Sequence, residues 1–174
     1  MSKYTTQRPA GYFTGRGNTT PLIGDDGKPM VRKWLLWSVP LFEFTSVSTD
    51  PLTFHCGPLE YQPDRHVFPT DGGSIPPILW CVPGLNPWQF PRAYPFHDCA
   101  FRYGGMYVNN VGAGFVFEQM DRKQCNALLA EMLPADGASW WAAAKINLGV
   151  WLGSRWCWDE SAQAENRRQS GIVV

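Results

Sequence analysis

Prolines and glycines limit the length of any regular element in the first half of this chain. The sequence has 15 prolines and 17 glycines, and every proline except Pro134 lies at or before Pro95. Proline removes a backbone hydrogen-bond donor and glycine favours turns, so both interrupt strands and helices. The β-branched and aromatic runs between them are short, which predicts brief strands joined by turns. These runs are residues 34–39, 41–45 and 52–55.

The first helical pattern follows this proline-rich part of the chain. It starts near residues 92–95, where a proline is tolerated in the first turn, and ends at Tyr103, because two glycines follow. Residues 106–117 then place two asparagines between apolar stretches. That arrangement predicts a small hairpin.

Two more helices are predicted toward the C-terminus. Asp121 and Gln124 have the spacing of a capping box, so a helix should begin there. Its apolar residues recur at helical spacing, and Pro134 is expected to end it. A third helix is predicted over about residues 139–156.

These elements predict an α+β fold, with a small, loop-rich antiparallel sheet followed by three packed helices. We expect the sheet within residues 34–70 and a single α+β domain over residues 34–158. Residues 1–33 are polar and rich in turn-forming types, and predict an extended N-terminal arm. Residues 159–174 predict a polar C-terminal tail.

Charge and hydropathy exclude two classes of protein. Lysine plus arginine and aspartate plus glutamate both number 15, and this neutral balance argues against nucleic-acid binding, which needs a basic surface. The longest apolar runs fall far short of the roughly 20 residues that cross a bilayer, so no integral membrane association is expected. The N-terminus lacks the apolar core of a signal peptide, so secretion by that route is not expected.

The main candidate site combines a histidine and carboxylates. His97 and Asp98 are adjacent in the first predicted helix, while Asp71 and Ser74 lie in a glycine-rich turn. His97 could act as a general base that activates water, with Asp98 and Asp71 binding a cation or orienting the histidine. Oxygen ligands suit calcium or magnesium better than zinc. Ser74 as a nucleophile paired with His97 is a second option.

A purely structural interpretation of the same residues is also open. Asp71 and Ser74 would cap the turn, Asp98 would pair with Arg102 one helical turn away, and His97 would be a hydrogen-bonded core histidine. From these residues alone, the structural interpretation is favoured over chemistry.

The other histidines and the cysteines show no pattern of a site. His55 and His66 have no neighbours in sequence that suggest chemistry, and both are expected in loops or at the surface. The five cysteines are an odd number without a C-x-x-C motif, so neither a disulfide framework nor a four-thiolate zinc site is expected. We expect small buried side chains instead.

Three segments together resemble the phage and prophage family labelled domain of unknown function 1353, over about residues 60–156. Residues 70–76 match its T-D-G-x-S-I-P turn and residues 97–98 its H-D helix. Residues 122–126 correspond to its R-x-x-A-D helix, except that Cys125 replaces the family's alanine and Asn126 its aspartate. By analogy, an H-D helix facing a second helix is also similar to secreted phospholipase A2 enzymes. There the histidine is the base, the adjacent aspartate binds calcium, and a distant aspartate orients the histidine. The resemblance thus implies that Asn126 stands at the position that orients His97, but without the negative charge of the family's aspartate.

The resemblance implies a phage-encoded protein, located in the virion or in the cytoplasm of the infected bacterium. Aromatic residues make up 14% of the chain and favour interfaces as well as cores. We therefore expect a virion-associated accessory protein, at the tail or baseplate, that docks on other phage structural proteins or self-assembles through its arms and aromatic patches. The alternative is a cation-assisted hydrolase of ester or cell-envelope substrates. A small cytoplasmic anti-host effector is a weaker alternative.

Overall fold

Antiparallel strands form the N-terminal part of the protein, and four helices follow with one hairpin between the first two. The computed structural model describes residues 11–34, 37–64, 67–70, 89–110 and 112–173. The predicted α+β class is confirmed. The strands are β1 (Tyr12–Thr14), β2 (Gly17–Pro21), β3 (Val31–Trp34), β4 (Trp37–Pro40), β5 (Phe42–Ser46), β6 (Thr53–Cys56), β7 (Leu59–Gln62), β8 (Phe68–Thr70), β9 (Gly105–Asn110) and β10 (Val116–Gln119). The helices are α1 (Ala93–Tyr103), α2 (Arg122–Ala135), α3 (Trp140–Cys157) and α4 (Glu160–Gln169).

The strands form three sheets. The largest has 5 strands in the order β1-β6-β7-β9-β10, the second has the order β2-β5-β8, and β3 pairs with β4. Neighbouring strands run antiparallel in each ladder. The predicted hairpin is formed by β9 and β10, and it extends the large sheet because β9 pairs with β7.

The N-terminal segment departs from the prediction of a separate extended arm over residues 1–33. From residue 12 onward it is part of the sheets, with β1 on β6 and β2 on β5. Phe13 explains why β1 is held there. Its ring contacts those of Phe54 and Phe96, at centroid distances of 4.9 and 5.8 Å, and so joins the core. The sheet region therefore starts well before residue 34.

Two predicted boundaries are wrong. The run over residues 34–39 is two strands, because β3 ends at Trp34 and β4 begins at Trp37. Pro134 lies inside α2, which continues to Ala135. Proline removes the hydrogen bond to the residue four positions earlier and crowds that residue's carbonyl, and α2 ends one residue after it.

Helix α1 is the central helix of the fold. Eight of its 11 residues are buried, and it packs against α2, α4, β8 and β9. Tyr94, Phe96, Cys99 and Ala100 are at most 1% exposed. Because α1 is covered on several sides, its polar residues must find partners within the protein.

A fourth helix replaces the predicted polar tail over residues 159–174. Helix α4 is polar, and it is held by side-chain bonds to the C-terminal carbonyls of α1. Gln163 Nε2 donates to Phe101 O at 3.0 Å and Asn166 Nδ2 donates to Arg102 O at 2.9 Å. The last carbonyls of a helix lack partners within that helix, so α4 acts as a cap for α1. This explains how a sequence without an apolar stripe can dock.

Candidate functional site

His97 lies on the side of α1 that faces α2, in a buried position. It is 9% exposed, and its ring lies against that of Phe101, at a centroid distance of 4.3 Å. Its Nε2 atom is 3.3 Å from Oδ1 of Asn126, on the second turn of α2. The structure thus brings together the predicted base and the predicted orienting position.

A chain of hydrogen bonds fixes how the Asn126 amide is oriented. Asn126 Nδ2 donates to Ser154 Oγ at 3.1 Å, and Arg122 Nη1 donates to the same oxygen at 2.9 Å. Ser154 Oγ in turn donates to the carbonyl of Trp151, at 3.5 Å. With its nitrogen used in this way, Asn126 presents its oxygen to His97, so Nε2 of the imidazole carries the proton.

The amide of Asn126 differs from a carboxylate at this position because it carries no charge. Both can orient the ring, but only a carboxylate stabilises the imidazolium that forms when His97 accepts a second proton. The His97–Asn126 pair therefore has the geometry of a base and its orienting group without the charge.

Asp98 lies beside the end of β8. It accepts a hydrogen bond from the hydroxyl of Thr70, the last residue of that strand. The guanidinium of Arg102, its expected partner, lies over the ring of Tyr103 at 5.7 Å. Asp98 also adds to the effect of burial in raising the pKa of Tyr94, whose hydroxyl stays protonated.

The predicted metal site is only partly described. Asp71 and Ser74 lie outside the described residues, although Asp71 directly follows Thr70 in the chain. Within the described part, no group of three or more histidine, cysteine, aspartate or glutamate side chains could hold a metal ion. A calcium or magnesium site would therefore need Asp98 together with residues outside the described part of the chain, such as Asp71.

The buried cysteines are structural. Cys99 and Cys125 are at most 2% exposed. Burial raises the pKa of the Cys99 thiol well above its usual range and that of Cys125 to about 12. Both remain protonated at neutral pH and cannot act as thiolate nucleophiles. The four described cysteines are free. The expectation of buried side chains is wrong for Cys56, which is half-buried, and for Cys157, which is exposed.

His55 has partners that its sequence neighbourhood does not suggest. Its Nε2 lies 2.7 Å from Thr14 Oγ1 on β1, and its Nδ1 lies 3.2 Å from Glu60 Oε1 on β7. Asn109 on β9 donates to the other carboxylate oxygen of Glu60 at 2.8 Å. His55 lies on β6 and is half-buried, so the expectation of a loop or surface histidine is wrong for it. His66 lies outside the described residues.

Part of this arrangement was accessible to sequence reasoning. A tight turn at Gly57 between two short strand runs places His55 opposite Glu60 on one face of a hairpin. Thr14 was not accessible, because it lies 41 residues away and its position depends on which strand β1 pairs with.

Helix α3 carries an exposed apolar face. Five of its large apolar side chains are between 49% and 68% exposed, and the rings of Trp140 and Trp141 stack at a centroid distance of 3.9 Å. The opposite side of the helix, with Ala142, Ala143 and Ile146, is buried. We define the α3 apolar face as Trp140, Trp141, Leu148, Trp151 and Leu152.

Comparisons with known proteins give no match to a protein family, to a curated protein or to a solved structure. Among the described helices, none is both long and apolar enough to cross a membrane.

Proposed function

We propose that this is a phage-encoded, virion-associated accessory protein of the tail or baseplate that acts by docking. The observation that carries the proposal is the α3 apolar face, five large side chains exposed on one helix. A soluble monomer rarely leaves so contiguous an apolar surface uncovered without an interaction to serve. The phage assignment rests on the resemblance of the sequence at residues 70–76 and of the pair His97–Asp98.

The charges on α3 favour a particular kind of partner. Lys145 and Arg155 are exposed, and residues 137–158 contain no aspartate or glutamate. In a symmetric dimer formed through this face, each cation would meet the same cationic face of its partner, which is unfavourable. The face fits better on a phage structural protein that has an apolar groove rimmed by carboxylates.

The test is binding to the purified tail and baseplate proteins of the phage that encodes this chain. A variant with Trp141→Ser, Leu148→Ser and Trp151→Ser removes the centre of the α3 apolar face without touching the core. Each side chain contributes about 1.5–3 kcal/mol if it is fully buried on binding. We therefore expect the affinity for the partner to fall by at least about 100-fold.

A matched control replaces apolar residues that are equally exposed elsewhere. Ile23→Ser with Val116→Ser changes side chains that are 53% and 57% exposed, and it should leave binding unchanged. Equal binding by the α3 variant would overturn the proposal. Light scattering could instead show that the protein is a dimer and that only the α3 variant is a monomer. The partner of the α3 apolar face would then be a second copy of this chain and not a phage structural protein.

The cation-assisted hydrolase remains a second candidate. Thr70 ends β8 and donates a hydrogen bond to Asp98, and Asp71 is the next residue in the chain, so the two predicted carboxylate ligands belong to neighbouring segments. In this candidate, His97 is the base and Asp98, with Asp71, binds calcium or magnesium. Asn126→Asp should raise any hydrolytic rate on ester or envelope substrates, because a carboxylate would then stabilise the His97 imidazolium.

Calorimetric titration of calcium or magnesium into the unmodified protein should show binding, and Asp98→Asn should abolish it. Absence of binding to the unmodified protein would exclude this candidate.

A further inference from the structure

We propose that Thr14, His55 and Glu60 form a second site, which transfers acyl groups from carboxylic esters. The three residues come from β1, β6 and β7, and they stand in the order hydroxyl, imidazole and carboxylate. The distances are 2.7 Å from Thr14 Oγ1 to His55 Nε2 and 3.2 Å from His55 Nδ1 to Glu60 Oε1. A hydroxyl that is hydrogen-bonded to a base, which is itself hydrogen-bonded to an orienting carboxylate, is the arrangement that activates a hydroxyl as a nucleophile.

The partners of His55 assign a role to each ring nitrogen. A carboxylate only accepts hydrogen bonds, so the nitrogen facing Glu60, Nδ1, carries the proton. In the neutral ring, Nε2 then has a free electron pair and accepts the hydroxyl proton of Thr14. This is the tautomer that a general base needs.

The neighbours of the three residues hold them in place. Asn109 donates to Glu60 Oε2 at 2.8 Å, which fixes the carboxylate. The ring of Tyr12 stacks on the imidazole, with centroids 4.6 Å apart and planes 9° from parallel. The side chains of His55 and Glu60 are 19% and 26% exposed, so both are shielded but reachable.

This site is separate from the one on α1. Side chains alternate between the two faces of a strand, and Phe13 and Phe54 point toward α1. Their neighbours in sequence, Thr14 and His55, therefore point to the opposite face of the sheet. Thr14 is exposed there, so an ester can approach its hydroxyl.

The chemistry proceeds in two steps. Thr14 Oγ1 attacks the carbonyl carbon of the ester, and its proton moves to His55 Nε2. The bond between the carbonyl carbon and the leaving oxygen breaks, and the leaving alcohol takes that proton, which leaves an acyl group on Thr14. Water then gives a proton to His55 and attacks the acyl carbon, and Thr14 Oγ1 regains its proton as the acid departs.

The test is hydrolysis of p-nitrophenyl acetate by the full chain, with mass spectrometry of the protein during turnover. We expect an acetyl group on the peptide that contains Thr14, and a rate that falls by about 100-fold or more in Thr14→Ala and in His55→Gln. Thr14→Ser keeps the hydroxyl and should retain both the acylation and the rate. Glu60→Gln should lower the rate, because an amide does not stabilise the imidazolium.

The control is Thr20→Ala, which removes an exposed strand threonine on β2 and should leave the rate unchanged. Acetylation of another residue, or an unchanged rate in Thr14→Ala, would overturn the proposal. So would a rate that depends on His97 and not on His55, since it would place the activity on α1. None of these results affects the docking proposal, because the α3 apolar face is not involved.

Discussion

Gly104 shows how a single residue serves two structural requirements. It ends α1 with a φ of 66°, in the left-handed region that glycine adopts without strain. A Cβ atom there would also lie 2.6 Å from Gln163 Oε1 and 2.8 Å from an Arg167 guanidinium nitrogen. Both side chains bond to α1 carbonyls, at Phe101 and Tyr103. The glycine therefore ends one helix and leaves room for the residues that dock another.

The first prediction separates these two requirements. Gly57→Ala introduces the same backbone strain, at a φ of 61°, but its Cβ would meet nothing within 4 Å. It should lower the free energy of unfolding by about 1–2 kcal/mol. Gly104→Ala should cost about 2–4 kcal/mol, because the α4 side chains must also move away from their carbonyls. Urea denaturation of both variants measures the difference, and equal losses would show that the space beside Gly104 has no role.

Helix ends in this protein are completed by residues from other elements as well as by their own caps. Asp136, just after α2, accepts hydrogen bonds from the backbone N–H groups of Arg92 and Ala93 at 2.9 and 3.1 Å. It also accepts from Arg92 Nε at 2.7 Å, and its own side chain is only 1% exposed. The first backbone N–H groups of α1 thus donate hydrogen bonds to Asp136, which lies more than 40 positions away in the chain.

We expect Asp136→Ala to destabilise the protein by about 2–4 kcal/mol, because it leaves donors at the start of α1 without a partner in a shielded position. Asp121→Ala is the matched comparison, since Asp121 is exposed and caps its own helix α2. It should cost about 1 kcal/mol. Thermal unfolding followed by circular dichroism compares the two. A smaller loss for Asp136→Ala than for Asp121→Ala would contradict the interpretation.

The cap of α4 gives a prediction about pH. Asp159 accepts hydrogen bonds from the backbone N–H of Ala162 and from the hydroxyl and backbone N–H of Ser161, and these bonds lower its pKa. A carboxyl group with a lowered pKa in the folded state stabilises that state above its unfolded pKa, about 3.9. The contribution is lost as the pH falls through the lower folded value.

Hydrogen exchange of the α4 backbone between about pH 5 and pH 2 tests this expectation. Protection of α4 should decrease as Asp159 is protonated. In Asp159→Asn the cap cannot titrate, so the part of the decrease that Asp159 causes should disappear. The same loss of protection in both proteins would show that another group controls α4.

At the scale of the whole molecule, the C-terminal segment is part of the fold. Side chains of α4 satisfy carbonyls at the end of α1, and Ile172 is 8% exposed. Trp158, just before α4, packs edge-on against Phe101 at 5.0 Å. Helix α1 carries His97 and Asp98, so the segment also supports the candidate site on α1.

A chain that ends after Trp158 should therefore be less stable by about 3–5 kcal/mol, since it loses three side-chain hydrogen bonds to α1 carbonyls and the burial of Ile172. A chain that ends after Ile172 is the control, because it removes only Val173, which is 87% exposed, and Val174, which lies outside the described residues. It should unfold at the same temperature as the full chain. Calorimetry compares the three proteins, and equal melting temperatures would contradict the proposed role of α4.

Signals that act over three or four residues could be read from the sequence. The capping box of Asp121 and Gln124 is present at the start of α2, and Gly104 ends α1 as predicted. These predictions succeeded because a helix end is decided by hydrogen bonds between near neighbours in the chain. The closeness of His97 to α2 was also anticipated, although only through a resemblance.

Pairing between distant segments was decided by the tertiary structure alone. Strand β1 has only 3 residues, and nothing local to it selects β6 as its partner over another edge. That selection is what brings Thr14 to His55. Helix α4 is polar and has no apolar stripe to reveal its docking, which depends on carbonyls left open at the end of α1. Local chemistry in the sequence thus determined where the helices begin and end, while long-range packing determined which residues meet, because a contact across the fold depends on both partners at once.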